Sequence, residues 1–254
     1  MISIAFCSID SARAESIERH YRALLGHEPH EIIAITDARS LAEGYNRCLN
    51  QAHGDIVIFS HDDIEFLDPA TWLARLKAHL TEFDLLGLAG TTKVISAAWA
   101  GAGPPYAFGQ IGELDGSVEP FRVLIFAVPA PVVPGIQAVD GLFMAVRRNV
   151  IERIRFDEET FDGFHCYDTD FSFSAHLAGF RLAVAADLPC LHASTGHFDQ
   201  KWEHYAIRFA KKHGTHFSRI RPRPFQHAAV GARTKEEILE IMRAPQTQWS
   251  RQSG

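Results

Sequence analysis

Short apolar runs that end in polar residues alternate with segments of helical spacing at the start of the chain. Apolar runs at 3–9, 31–36 and 55–60 predict buried strands, and an acid follows each within two residues. The segments at 16–25 and 40–52 carry apolar residues three and four positions apart, the spacing of an amphipathic helix. Strands alternating with helices in this way predict a parallel sheet with crossover helices.

The same alternation continues after residue 60, with one interruption. The further predicted elements are helices at 68–80, 148–154, 171–178, 199–213 and 236–242, and strands at 85–89, 139–146, 181–185 and 190–192. Between 90 and 134, Gly- and Pro-rich stretches break any regular element, so we expect irregular structure with short antiparallel strands such as 123–128. A long insertion of this kind is usually functional, often as a lid or a wall of a binding site.

The pattern predicts one α/β domain over residues 1–214 and a C-terminal extension over 215–254. The extension turns basic and Pro-rich and then carries the predicted helix at 236–242. We expect its final residues to be disordered. No internal repeat and no sharp change of composition requires a second domain.

Composition narrows the class of partner. Hydrophobic residues make up 46% of the 254, enough for a substantial core, and the net charge of −6 gives no electrostatic reason to expect nucleic-acid binding. The four cysteines are widely spaced without a C-x-x-C pair, so we expect them to be reduced. With neither a signal-like start nor a long apolar window, we expect a cytoplasmic protein without a transmembrane segment, and leave peripheral membrane association open.

A cluster of polar side chains follows the strand at 55–60: His61, Asp62, Asp63 and Glu65. Ligands of open α/β sheets bind at the carboxyl ends of the strands. Carboxylates gathered there are costly unless a cation joins them, and hard divalent cations prefer oxygen ligands. Asp62 and Asp63 are therefore candidate ligands for Mn²⁺ or Mg²⁺, which in turn binds a diphosphate. An Asp-rich turn that caps the following helix explains the same residues equally well.

Two acids, Asp168 and Asp170, directly precede the predicted helix at 171–178. Either could serve as a general base, and either could cap the helix. We expect one to be a cap and one to be free. Asp170 is the expected cap because it lies closer to the helix.

His192 and His197 lie in and after the short strand at 190–192. A lone histidine is more often structural than a ligand, but a second imidazole in a chain with an acidic metal candidate favours a ligand role. Asp37 ends the second strand, where an acid often meets the base or ribose of a nucleotide. A simple turn residue is the common alternative for Asp37.

Several further motifs keep a fixed order along residues 2–213. They are Cys7-Ser8 after the first strand, Asp37 after the second, Ala-Glu-Gly-Tyr-Asn at 42–46, His-Asp-Asp at 61–63, Asp-Gly at 140–141, Phe-Asp-Glu at 156–158, Asp-Thr-Asp-Phe at 168–171 and Ala-Gly-Phe-Arg-Leu at 178–182. In order and spacing they resemble glycosyltransferase family 2 and related transferases of the GT-A fold. The resemblance implies a GT-A-type, Rossmann-like αβα sandwich with a mostly parallel sheet, a nucleotide-sugar donor, Mn²⁺ or Mg²⁺, and usually inversion.

The resemblance also implies residue roles. Asp63 matches the last acid of the metal motif, with Asp62 beside it, and His61 stands where the first acid usually is. His192 resembles the histidine that completes the metal shell in some members, and Asp168 aligns with the acid that deprotonates the acceptor. The residues implied for the donor site are Cys7, Ser8, Asp37, Asn46, Asp62, Asp140 and Gly141.

The chain departs from the family pattern at two positions. Tyr167 replaces the glutamate that commonly precedes the catalytic acid, and Ser174 replaces an arginine of the following helix. Asp168 is therefore the first candidate base and Asp170 the second. The Gln-x-x-Arg-Trp motif of processive synthases is absent, so we expect single transfers to a saccharide, lipid-linked or protein acceptor. A metal-dependent phosphohydrolase and a non-catalytic binding module are the alternatives.

Overall fold

The structure is a computed structural model that describes residues 1–115, 119–194, 198–221 and 227–252, with side chains to residue 245 in the last segment. The strands are β1 Ile2–Cys7, β2 His30–Ile35, β3 Ile56–Ser60, β4 Ile64–Phe66, β5 Leu85–Gly87, β6 Ala89–Thr91, β7 Ala107–Leu114, β8 Phe121–Ile125, β9 Val132–Ile136, β10 Ala138–Val139, β11 Phe143–Arg147, β12 Leu182–Ala185, β13 Cys190–His192 and β14 Ala228–Ala232. The helices are α1 Ser11–Leu25, α2 Leu41–Leu49, α3 Pro69–Glu82, α4 Arg148–Ile151, α5 Tyr167–Leu177, α6 Gln200–His213 and α7 Lys235–Gln252, with 3-10 turns at Trp99–Ala102 and Gly214–His216.

The main sheet has the strand order β2-β1-β3-β11-β5-β12-β9 and is mixed rather than mostly parallel. β1 runs parallel to β2 and β3, whereas β11 runs antiparallel to both of its neighbours. The register explains the reversal: Phe143 at the start of β11 lies opposite Ser60 at the end of β3. The chain therefore enters β11 from the carboxyl edge, because it returns there from a second sheet.

The second sheet has the order β10-β6-β7-β13-β4, with β8 paired to β7 and to β14. The strand predicted at 123–128 is present as β8, Phe121–Ile125, and the region expected to be irregular also contains β7, an antiparallel strand eight residues long. The hydrophobic pattern does not predict β7, because the strand contains Gly109, Gln110 and Gly112. Gly109 has φ 114, and an added Cβ would meet the Leu88 carbonyl oxygen, so the position requires glycine.

Helices cover both faces of the main sheet, as expected for an αβα sandwich. On one face α2 and α5 pack a cluster that includes Tyr45, Phe59 and Phe171. On the other face α1 and α3 pack a cluster that includes Tyr21 and Trp72. Burying each such side chain contributes about 1.5–3 kcal/mol, so the two clusters fix the strand edges that carry the site.

Several helix starts follow from their caps. Ser40 Oγ accepts a hydrogen bond from the Glu43 amide at 3.0 Å, and Asp199 Oδ1 accepts one from the Trp202 amide at 2.9 Å, so these side chains cap α2 and α6. α1 begins at Ser11, earlier than predicted, because Asp10 accepts the amides at the start of the helix.

The C-terminal extension packs onto the second sheet. β14 pairs antiparallel with β8, and Ile238 and Met242 of α7 join a buried cluster with Val123 and Leu191. The helix predicted at 236–242 lies within α7, while the Pro-rich stretch at 222–226 lies outside the described residues. In the part of the chain that the structure describes, no helix combines the length and the apolarity needed to cross a membrane.

Candidate active site

The carboxyl ends of β1 and β3 form the first wall of the site. The two strands are parallel with Phe6 opposite Ser60, so the residues that follow them emerge side by side. Ser8 Oγ donates a hydrogen bond to Asp62 Oδ2 at 2.5 Å. Asp62 is thereby directed toward β1.

The second sheet brings a histidine to the same edge. β13 pairs with β4, which places His192 opposite Ile64 and next to the acids that follow β3. His192 Nε2 lies 3.2 Å from Asp63 Oδ1 and 3.3 Å from His61 Nδ1. Ligand atoms of His61, Asp63 and His192 all lie within 4.8 Å of one another. Two imidazoles and one carboxylate at this spacing fit a divalent cation.

The three side chains of this cluster shift one another's pKa values. Burial would raise the pKa of Asp63, but the hydrogen bond and charge of His192 outweigh it and hold the pKa well below its usual range. Burial would lower the pKa of His192, yet Asp63 raises it overall. Burial, together with the charge of His192, lowers the pKa of His61. A metal held by these atoms needs the neutral form of both imidazoles and the ionised form of the carboxylate, so metal binding competes with protons at this cluster.

The geometry differs in part from the expected ligand set. Asp63 and His192 lie in the cluster, whereas Asp62 faces Ser8 instead. His61, which stands where the family pattern usually has an acid, completes the cluster. His197 lies outside the described residues.

Asp168, the candidate base, is connected to this cluster by contacts through Gly141 and Tyr167. An added Cβ on Gly141 would lie 2.6 Å from both the Tyr167 hydroxyl and Asp168 Cβ, so only glycine lets α5 approach so closely. Tyr167 in turn places its hydroxyl 3.0 Å from His61 Nε2. A continuous chain of contacts therefore runs from the cluster to Asp168.

Asp168 has the electrostatics of a base. Its partial burial and the nearby charge of Asp140 raise its pKa to about 7, although backbone amides, including that of Gly141, act in the other direction. Asp140 is itself held in place: it accepts the Trp99 indole N–H at 2.9 Å and the Leu142 amide at 3.0 Å. A carboxyl group that titrates near neutrality can take up a proton during a reaction.

Asp170 has a different environment, and the prediction that it caps α5 is wrong. It is 1% exposed, and its carboxylate lies 2.8 Å from Lys212 Nζ and 2.6 Å from His213 Nε2. α5 starts instead from Cys166, whose φ is 62 and whose side chain makes no capping hydrogen bond within the described structure. Asp170 ties α5 to α6.

Two residues expected near the nucleoside are engaged with the protein. Asp37 is 74% exposed and accepts a hydrogen bond from Arg47 at 2.7 Å. Asn46 uses both ends of its amide: it donates to the Phe156 carbonyl and Glu158 at 2.9 Å, and accepts the Phe156 amide at 3.2 Å. Asn46 therefore holds the turn at 156–158 in place.

Cys7 lies at the end of β1 against α2. An added Cβ on Gly44 would collide with the Cys7 sulfur, so α2 packs on the strand through this contact. A hydrogen bond with Cys48, together with burial, raises the pKa of the Cys7 thiol. The thiol therefore stays protonated and packs as an apolar group.

Two side chains in the site were not singled out as site residues. Tyr167 was noted only as a departure from the family pattern, and its partner His61 is 106 positions away. Trp99, which holds Asp140, lies in the region expected to be irregular. The only sequence signal was the substitution at Tyr167, because both partnerships are long-range.

A mixed αβα sandwich with a carboxylate and imidazole cluster at its strand ends defines the class: the fold is that of the GT-A glycosyltransferases. The family described as "Glycosyltransferase like family" matches residues 6–213, and the chain belongs to it. The predicted fold class and the predicted enzyme class, a glycosyltransferase, are thereby confirmed.

A curated protein and two solved structures are similar to this chain. Streptomycin biosynthesis protein StrF of Streptomyces griseus is 25% identical over 205 residues, which covers 74% of this chain and 69% of that protein. The structure of GalNAc-T7 with UDP, GalNAc and Mn²⁺ matches with a TM-score of 0.52 and 10% identity, over 83% of this chain and 47% of that one. The mannosyltransferase PcManGT from Pyrobaculum calidifontis, in complex with GDP-Man and Mn²⁺, has a TM-score of 0.49 and 13% identity, over 98% of this chain and 75% of that one.

Proposed function

We propose that the chain transfers a sugar from a nucleotide-sugar donor, with UDP as the first nucleotide to test, to an acceptor hydroxyl. The transfer inverts the anomeric carbon and is not processive. The observation that carries the proposal is the placement of Asp168, a carboxyl group with a pKa of about 7, against the cluster of His61, Asp63 and His192 through Gly141. A base beside a cation site suits the attack of a hydroxyl on a sugar whose leaving group is a diphosphate.

His61, Asp63 and His192 are the residues that would hold the divalent cation. Bound there, the cation supplies positive charge that stabilises the departing diphosphate. The Mn²⁺ in the GalNAc-T7 structure agrees with this assignment. Asp62 keeps its hydrogen bond to Ser8 and borders the donor site beside the cluster.

Asp168 takes the proton of the acceptor hydroxyl as the oxygen attacks the sugar carbon from the side opposite the diphosphate. Its pKa of about 7 lets it be ionised before the reaction and protonated after it. Asp170 acts as a positioning residue, because its ion pair with Lys212 and its contact with His213 fix the turn that presents Asp168.

The donor site extends along the strand ends. Asp37, at the end of β2, is exposed enough to meet the nucleoside, and Cys7 and Asn46 shape the site through the packing of α2. Asp140 and Gly141 line the side nearest the base.

Other parts of the chain would complete the enzyme. The region from 90 to 134 and the extension from 215 to 254 would shape the acceptor site for a saccharide, lipid-linked or protein acceptor. Residues 1–214 form the catalytic domain in this proposal. A cytoplasmic location agrees with the free state of all four cysteines.

Calorimetry with UDP and Mn²⁺ on the full chain tests the cation site. Asp63→Ala should weaken metal-dependent UDP binding at least about tenfold, because it removes the only carboxylate of the cluster. Glu65→Gln is the matched control: Glu65 lies on the adjoining strand and pairs with Lys235. Unchanged UDP binding by the Asp63 variant would place the cation elsewhere.

A transfer assay with a panel of nucleotide sugars and acceptors tests the reaction itself. The expected result is acceptor-dependent release of the nucleoside diphosphate, with an anomeric configuration opposite to that of the donor by NMR. Phosphate release that needs no acceptor would indicate a hydrolase. Binding without any turnover would indicate a binding module.

A further inference from the structure

The cation cluster contains a histidine at a position where the sequence pattern leads one to expect an acid. His61 follows β3 directly, and its amide donates to the Leu142 carbonyl oxygen at 3.0 Å, so its backbone is tied to the β11 side of the site. Its ring lies between His192 on one side and Tyr167 on the other, with distances of 3.3 and 3.0 Å. Each ring nitrogen of His61 therefore has its own partner.

The two ring nitrogens of His61 have different roles, because Nδ1 faces His192 and Nε2 faces the Tyr167 hydroxyl. Nδ1 of His61 faces the other donor atoms, at 3.3 Å from His192 Nε2 and 4.0 Å from Asp63 Oδ1. A cation at the centre of the cluster would need the lone pair of Nδ1, so the ring proton must reside on Nε2. The Tyr167 hydroxyl oxygen, 3.0 Å away, is placed to accept that proton in a hydrogen bond.

Tyr167 has little freedom to move. The residue is 4% exposed, and its ring packs against Tyr45 and Phe156 with centroids 5.7 and 6.3 Å away. Its hydroxyl lies so close to Gly141 that an added Cβ there would be 2.6 Å from it. A hydroxyl held this firmly fixes both the orientation and the tautomer of the His61 ring.

The consequence concerns the choice of metal. The cluster offers two imidazole nitrogens and one carboxylate oxygen. Mg²⁺ favours oxygen ligands and gives up its waters reluctantly, whereas imidazole nitrogen suits transition metals. Mn²⁺ also accepts oxygen ligands, so a mixed set of this kind still serves it.

We propose that the His61–Tyr167 pair makes this site select divalent transition metals such as Mn²⁺ over Mg²⁺, with Tyr167 as the positioning residue. The inference rests on the cation site of the proposed function, but it needs no assumption about the sugar or the acceptor. It also assigns a role to the tyrosine that replaces the glutamate of the family pattern.

Metal binding to the full chain, without donor, tests the inference. Electron paramagnetic resonance gives the Kd of Mn²⁺, and competition with Mg²⁺ gives the ratio of the two affinities. We expect Mn²⁺ to bind at least about tenfold more tightly than Mg²⁺ in the wild type. Equal affinity for the two metals, or the absence of binding by either, would overturn the inference.

Two variants separate the parts of the pair. His61→Asp replaces a nitrogen ligand with oxygen and should narrow the ratio of Mn²⁺ to Mg²⁺ affinity by about tenfold. Tyr167→Phe removes the hydroxyl alone and should weaken Mn²⁺ binding about 10- to 100-fold. An unchanged ratio in the first variant, or an unchanged Mn²⁺ affinity in the second, contradicts the assignment.

Tyr45→Phe is the matched control for Tyr167→Phe. Tyr45 is also buried, and its hydroxyl donates to the Ser60 carbonyl oxygen at 3.1 Å rather than to His61. This variant should keep the wild-type Mn²⁺ affinity, and circular dichroism should show that both tyrosine variants fold. If the control lost as much affinity as Tyr167→Phe, the effect would come from general packing.

A spectroscopic readout distinguishes ligation from structural change. Electron spin echo modulation of bound Mn²⁺ should show coupling to imidazole nitrogen in the wild type, and reduced coupling in His61→Asp. Transfer assays in parallel separate the two proposals. Sugar transfer supported equally by Mg²⁺ would refute the selectivity alone, and selective Mn²⁺ binding without transfer would refute the proposed reaction alone.

Discussion

The two sides of the first turn of α5 carry the same kind of side chain in opposite surroundings. Asp168 faces the site, where burial and the nearby charge of Asp140 raise its pKa to about 7. Asp170 faces α6, where Lys212 and His213 approach it within 2.8 and 2.6 Å. Among the residues that the structure describes, neither lysine nor arginine pairs with Asp168.

The difference shows that surroundings, rather than residue type or position on a helix, assign the roles. An acid beside another acid holds its proton more readily and can exchange it near neutral pH. An acid that is paired with a lysine and a histidine inside the protein supports the structure. Substitutions on the two sides should therefore change different observables, the transfer rate for one and the folding stability for the other.

Asp168→Asn should have the largest effect. Without the base, the rate of sugar transfer should fall about 10²- to 10⁴-fold, while binding of UDP and Mn²⁺ changes little. Steady-state transfer assays and calorimetry measure the two quantities. Asp162→Asn is the control, since that exposed acid of the preceding loop bonds to Tyr205 and Arg208. A full transfer rate in the Asp168 variant would move the base elsewhere, with Asp170 tested next.

Asp170→Asn should lower the free energy of unfolding by about 3 kcal/mol, because it leaves buried His213 and half-buried Lys212 without their anion. The partial exposure of Lys212 keeps the loss at the low end of the range for buried pairs. Urea denaturation measures it. Asp168→Asn, measured in parallel, should leave stability unchanged or raise it, since it removes a charge next to Asp140. A loss of stability in Asp168→Asn but not in Asp170→Asn would mean that Asp168 is the structural acid and Asp170 is not.

The transfer rate should rise with pH through about 7, because only the ionised form of Asp168 can take a proton. One pH unit below its pKa, the rate should be about tenfold lower than at the plateau. The free energy of unfolding changes in the opposite direction. The folded chain holds the Asp168 proton more tightly than the unfolded chain, so the free energy of unfolding declines as the pH rises from the ordinary aspartate pKa of 3.8 toward 7. A pH–rate profile of Asp140→Asn should have its midpoint at lower pH; an unshifted midpoint would exclude Asp140 as the cause.

The smallest effect concerns Cys166, the left-handed residue from which the shared turn starts. Its φ of 62 is costly for any side chain with a Cβ, so Cys166→Gly should be more stable than Cys166→Ala by about 1 kcal/mol. Thermal unfolding of the two variants measures the difference. If alanine were equally stable, the left-handed conformation would not be strained.

Much of the main sheet could be predicted because its signals are local. β1, β2 and β3 are short apolar runs that end in acids, and α2 carries its own cap, Ser40. The second sheet could not be predicted in the same way. β7 has glycine and glutamine at positions where the hydrophobic pattern requires apolar residues, and its partners come from distant segments.

The candidate site shows the same division. The strand-end position of Asp63 and the short strand of His192 are visible in the sequence. Whether His61 or Asp62 joins the cation cluster depends on long-range contacts. Asp62 is held by Ser8, 54 positions away, and His61 contacts His192, 131 positions away. The role of Asp170 likewise depends on Lys212, 42 positions later, in a helix whose packing no local rule fixes.

The cluster of His61, Asp63 and His192 joins two sheets across a separation of 131 positions between the histidines. Closing a loop of this length costs chain entropy of about 4 kcal/mol, which folding must supply before any ligand can contact all three side chains. The unfolded chain therefore has no preformed site to offer. A ligand present at a hundredfold excess over its Kd would stabilise the folded state by roughly 2.7 kcal/mol. Because the ligand contacts residues of both sheets, the resulting increase in melting temperature reports that the two sheets are packed together.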